Sequence, residues 1–104
     1  MMIQQGAPAT IVLLFRDFDE HGVDNGPLNL DDSEHRPLRL ELQPPRGDKI
    51  IVQEEDLSVD DAAAGRVSWS AAPGFLALAG PWHAQGYAGL WPATPVTFIV
   101  GGNL

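Results

Sequence analysis

The sequence predicts an all-β fold: an antiparallel two-sheet sandwich, immunoglobulin-like, with about seven strands. Three observations lead there. Apolar residues recur at every second position in short runs, as on a strand with one buried face. Glycine and proline, 11 and 9 of the 104 residues, punctuate those runs with turn signals. No segment carries a helix-length run of 3.6-residue period.

The first strand is Thr10–Phe15, β-branched and apolar, and its continuous apolar character predicts burial on both faces. Pro37–Leu42 alternates, with Leu38, Leu40 and Leu42 on one face and Arg39 and Glu41 on the other. The turn cluster Pro44-Pro45-Arg46-Gly47-Asp48 and the strand Lys49–Glu54 complete a hairpin over residues 38–54. Between Glu54 and Ala64 a single helical turn is expected at Ser58–Ala63. Gly65–Ser70 alternates again, turning Val67 and Trp69 inward. Phe75–Leu78 is short enough for a strand or one helical turn. After Gly80-Pro81, a long run places Trp82, Ala84, Gly86, Ala88 and Leu90 on one face and His83, Gln85, Tyr87 and Gly89 on the other. Pro95–Val100 closes the fold with Val96, Phe98 and Val100 inward. The chain reads as one domain over residues 1–104.

Composition excludes several functions. Fourteen acids against six bases leave a net charge of −8, which repels nucleic acid and anionic membrane. No cysteine is present, so there is no disulfide framework, thiolate metal site or cysteine nucleophile. The start, Met1–Thr10, has no basic region and reads as no signal peptide, and no stretch approaches the ~20 apolar residues of a membrane span. None of the four serines sits in a Gly-x-Ser-x-Gly elbow. Gly101-Gly102 precedes no helix and is rejected as a phosphate loop. The chain reads as a non-enzyme without a cofactor.

Three groups of residues bear on binding. Asp17, Asp19 and Gly22 match positions of a calcium loop, with Asp24 as a further oxygen donor. Leu28 stands where the bidentate glutamate belongs, so the segment reads first as a solvated loop shaped by Asp, Asn and Gly. The runs Glu54-Glu55-Asp56 and Asp31–His35 read as exposed loops. His21, His35 and His83 lack the local pairing of a zinc site. Tyr87 and Trp91, with the outward His83 and Gln85, are the expected contact residues for a partner, whereas Trp69 and Trp82 are expected in the core.

Taken together, these segments resemble the N-terminal domain of phage baseplate upper proteins and related immunoglobulin-like modules of tailed-phage virions. The resemblance rests on Gln4-Gln5-Gly6-Ala7-Pro8 before the first strand and on the acidic turn Asp17–Gly22. It continues through the hairpin turn Pro44–Gly47, the strand Gly65-Arg66-Val67-Ser68-Trp69, and Gly80-Pro81-Trp82-His83-Ala84-Gln85 leading to Pro95–Val100. The resemblance implies a non-catalytic building block of a phage or prophage virion (tail, baseplate or neck), with other virion proteins as partners. The unpaired edges of a sandwich add an expected homo-oligomer. The alternative is a small ligand-binding sandwich for carbohydrate or a divalent cation.

Overall fold

The computed structural model describes residues 2–101. In chain order its strands are β1 (Met2–Gln4), β2 (Ala9–Leu14), β3 (Arg16–Phe18), β4 (Asp24–Pro27), β5 (Leu38–Gln43), β6 (Ile50–Gln53), β7 (Ser58–Asp61), β8 (Arg66–Ala71), β9 (Gly80–Ala88), β10 (Trp91–Pro92) and β11 (Val96–Gly101). Single 3-10 turns occupy Ser33–His35 and Glu54–Asp56. The larger sheet is ordered β1-β11-β9-β5-β6, with β10 also on β9; the smaller is β2-β8-β7; β3 and β4 form a separate hairpin. The fold is therefore the expected all-β sandwich. It has more strands than expected because segments read as a loop or a helical turn, such as Arg16–Phe18 and Ser58–Asp61, pair over a few residues. One pairing, β1 with β11, is parallel.

Alternation explains the core. Leu38, Leu40 and Leu42 of β5, Trp82, Ala84 and Ala88 of β9, and Phe98 and Val100 of β11 are buried in one cluster with Ile11 and Leu13 of β2 and Val67, Trp69 and Ala71 of β8. Trp82 stacks on Phe98 with ring centroids 6.1 Å apart and donates its indole N–H to the Leu78 carbonyl at 2.9 Å. Trp82 thus buries its apolar body and satisfies its polar atom. The layers approach closely at Gly86. A Cβ there would lie 3.0 Å from Leu13 Cδ1, 3.1 Å from Phe15 Cζ and 3.3 Å from Ala93 Cβ.

Several local expectations are corrected. The first strand is buried on one face: Ile11, Leu13 and Phe15 point inward, whereas in the outer row Thr10 is exposed, Val12 half-buried and Leu14 48% exposed. Ser58–Asp61 is a strand, and the turn of helix lies just before it at Glu54–Asp56. Phe75–Leu78 forms turns and bends. Leu90 leaves the inward row and is 95% exposed, because the chain turns at Gly89 with φ +61°. His35, expected in an exposed loop, is only 8% exposed.

Gly65 extends the β2–β8 ladder one residue beyond the strands. Its carbonyl accepts Phe15 N–H at 2.8 Å, its φ is +66°, and a Cβ would stand 2.4 Å from the Phe15 carbonyl oxygen. Gly65→Ala is therefore expected to cost more than about 2 kcal/mol, combining left-handed strain with a clash against backbone. Gly86→Ala meets the ends of the Leu13 and Phe15 side chains, which can give by a few tenths of an ångström, and the Ala93 Cβ at 3.3 Å, so it is expected to cost about 1 kcal/mol, rising to about 1–3 kcal/mol for Gly86→Val. Urea unfolding of the three variants checks this order.

Candidate functional site

The outer face of the larger sheet holds most of the polar residues singled out in β9. Strand register places Arg39 opposite Tyr87, Glu41 opposite Gln85, and Gln43 opposite His83, with Thr97 flanking His83 from β11. Because directly opposed residues of paired strands share a face, these side chains form one array. Apart from Arg39, which lies behind Tyr87 and Glu41, these residues line a shallow groove of about 220 Å³ together with Lys49.

Charge organises one end of the groove. Lys49 Nζ and Arg39 Nε each donate to Glu41, both at 3.0 Å. The Lys49 bond, then the Arg39 bond, holds the Glu41 carboxyl below the usual carboxylate range, against the opposing effect of burial. The Arg39 guanidinium also lies 4.2 Å over the Tyr87 ring centroid, a cation–π contact. His83 Nδ1 is 3.2 Å from the Thr97 hydroxyl, and His83 is otherwise exposed.

Of the four expected contact residues, the structure brings three together. Gln85 belongs to the array, but its amide N–H groups fold back onto the carbonyls of Ala93 at 2.6 Å and Gly86 at 2.9 Å, which fastens the segment after β10. Trp91 stands apart. Its register partner is Ala88, whose side chain faces the core side, so Trp91 does not share the face of Tyr87. Its ring instead packs edge-on against buried His35, with centroids 5.6 Å apart. The sequence reading left out Arg39, Lys49 and Thr97 as neighbours of His83 and Tyr87. The outward position of Arg39 was legible from alternation; which strand lies beside β9 was not.

The acidic candidates are committed to local structure. One Asp19 oxygen accepts the backbone N–H groups of His21 and Val23 at 2.8 and 2.9 Å. Asp24 accepts Gly26 N–H at 2.8 Å and pairs with Arg16 at 2.9 Å. The Gly26 bond and the Arg16 guanidinium lower its pKa. Asp17 is half-buried in β3. Among the described residues, the carboxylate and imidazole groups that converge are those of Asp32, Glu34 and His35, with ligand atoms within 4.8 Å of one another. This 3-10 turn offers three donors from one side, short of the six to eight oxygens calcium takes. Asp32 already caps it by accepting Glu34 N–H at 3.0 Å, and His35 Nδ1 donates to the Asn29 carbonyl at 2.5 Å.

No family model, curated protein or solved structure matches this chain. No helix among the described residues is long and apolar enough to cross a membrane.

Two outcomes follow. Glu41 has a folded pKa below its unfolded value, so its stabilising contribution is present above the usual carboxylate pKa of about 4.3 and is lost as pH falls through the lower folded value. Glu41→Gln is expected to make the acid-side decline of the urea midpoint shallower, and to cost no more than about 1 kcal/mol at neutral pH. With the hairpin carboxylates already bonded, millimolar calcium is expected to leave the thermal midpoint unchanged, since only a ligand of the native state raises it.

Proposed function

We propose that this chain is a non-catalytic interaction module of a phage or prophage virion, a component of tail, baseplate or neck that works by surface contact with other virion proteins. The observation that carries this reading is the open outer face of the larger sheet. A groove of about 220 Å³ there is lined by an aromatic ring, an imidazole and the Glu41–Lys49 pair, with Arg39 bonded to Glu41 and lying over Tyr87 beside it. Interfaces favour aromatic and arginine side chains, and paired strands hold them with little cost of ordering. The resemblance of the turn and strand segments, in their order, to tailed-phage modules is what suggests the virion setting.

A partner of protein chemistry fits this face better than a sugar. Arg39 covers one face of the Tyr87 ring, the surface a stacked pyranose would use, while His83, Thr97 and Lys49 leave polar groups at the groove for a protein surface. The reading is tested on particles purified from the organism that encodes the chain. The chain is expected in them at a fixed ratio to other tail proteins by mass spectrometry. His83→Ala combined with Tyr87→Ala is expected to reduce its incorporation several-fold with the melting midpoint nearly unchanged. Absence of the chain from purified particles contradicts the proposal.

A further inference from the structure

We infer that the free edge of β2 pairs antiparallel with β2 of a second copy of this chain, about a two-fold axis at Ile11. This deepens the interaction-module reading by naming the partner of one surface, and its test on purified protein stands or fails separately from the particle test.

β2 is an edge of the smaller sheet and pairs only with β8, in the register Ile11↔Trp69 and Leu13↔Val67. Two bonds at its end show which backbone groups that pairing uses. Phe15 N–H bonds the Gly65 carbonyl across the same ladder, whereas the Leu14 carbonyl accepts from Thr94 N–H, at 3.2 Å, on the opposite side. In an antiparallel pair the residues that exchange hydrogen bonds alternate along the strand. Leu13 and Ile11 therefore direct their N–H and C=O groups toward β8, as Phe15 does its N–H while its carbonyl accepts from Leu28 N–H at 3.0 Å, and Leu14, Val12 and Thr10 direct theirs away. Thr94 takes the Leu14 carbonyl. Among the described residues, no backbone bond outside the β2–β8 ladder reaches Thr10 or Val12.

This edge lacks the features that keep strand edges apart. Such edges are commonly guarded by charge, proline, bulges or short length. β7, the other edge of the same sheet, carries Asp60 and Asp61 and a register break between Val59 and Asp61. β6 has only four residues and is followed by Glu54-Glu55-Asp56. β2 has six residues, Ala-Thr-Ile-Val-Leu-Leu, with no charge and no proline. No aspartate, glutamate, lysine or arginine occurs before Arg16, so the whole net charge of −8 lies elsewhere. On a chain so acidic, an uncharged strand is where two copies meet with least repulsion.

The strand is also complementary to itself. An axis at Ile11 sets Thr10 opposite Val12 of the second copy and Val12 opposite its Thr10. Both positions point their backbone groups outward, so about four hydrogen bonds form. Directly opposed residues share a face, so the two β-branched side chains pair on the outer face and the inner residues stay inward. A register centred on Val12 would instead require the Leu14 carbonyl, which Thr94 occupies. The product is one continuous sheet, β7-β8-β2 joined to its own copy.

Sedimentation equilibrium of the purified chain tests this. The mass is expected to double with concentration, and association is expected to tighten as salt rises, because screening weakens the repulsion of two acidic bodies. Val12→Pro removes an outward N–H that the native ladder does not use, and proline is tolerated on such an edge. It is expected to weaken dimerisation at least ~tenfold with the fold retained; Val12→Lys serves the same purpose if the proline variant fails to fold. The chain has no native cysteine, so a mixture of Thr10→Cys and Val12→Cys chains is expected to form a disulfide dimer under a mild oxidant far more readily than either alone. A chain monomeric at all concentrations and salts, a dimer unaffected by both Val12 variants, or no preference for the mixed cysteine pair would each overturn the inference.

Discussion

Packing at Gly86 is the constraint on which the arrangement of β2 depends. The two layers approach there until Leu13 and Phe15 fill the space that a side chain on β9 would need. Along a strand, side chains alternate between faces while backbone groups alternate between edges, with the same period. Seating Leu13 and Phe15 inward therefore also decides that their amides serve β8. A slip of one residue would turn Leu14 into the core and exchange the bonded and free backbone groups together. Layer packing and edge chemistry are one choice in this molecule.

The same logic organises the larger sheet. Trp82, Ala84, Gly86 and Ala88 supply the inner row of β9, which leaves His83, Gln85 and Tyr87 as the outer row beside Arg39, Glu41 and Gln43. The outer row is polar because the inner row is not, and its order comes from ion pairing and the Arg39–Tyr87 contact. At the far end of β5, Glu54 accepts from Arg36 at 2.6 Å and from Leu38 N–H at 3.1 Å. These bonds hold the Glu54 carboxyl below the ordinary range, Arg36 contributing most, and fasten the start of β5 to the turn after β6. The charges of this acidic chain thus have structural employment on the larger sheet and in the β3–β4 hairpin, while its first fifteen residues carry no charged side chain.

Strand alternation was legible wherever a run was long and one-sided. Leu38, Leu40 and Leu42, Val67 and Trp69, and the β9 row through Ala88 could be assigned faces from spacing alone, and the β5–β6 hairpin from its turn residues. Short strands were not legible, because three or four residues such as Arg16-Asp17-Phe18 carry no measurable period and pair only when tertiary structure brings a partner. Leu90 continued the spacing of its neighbours but lies beyond the turn at Gly89, where periodicity no longer reports a face. The site was half legible: His83, Gln85 and Tyr87 share a face by alternation, but the Gln85 amide is consumed by Ala93, and Trp91 belongs to the opposite side. Neither fact is written in local sequence, since both depend on the register of β10 against β9. The free edge of β2 was invisible for the same reason, because strand order is a long-range property.

Residue-resolved amide hydrogen exchange along β2, measured in dilute and in concentrated protein, tests the central claim most directly. Ile11 and Leu13 are expected to be protected at every concentration, while Thr10 and Val12 exchange rapidly when dilute and gain protection when concentrated. Equal protection of all four amides in dilute protein, or rapid exchange at Thr10 and Val12 at every concentration, would contradict it.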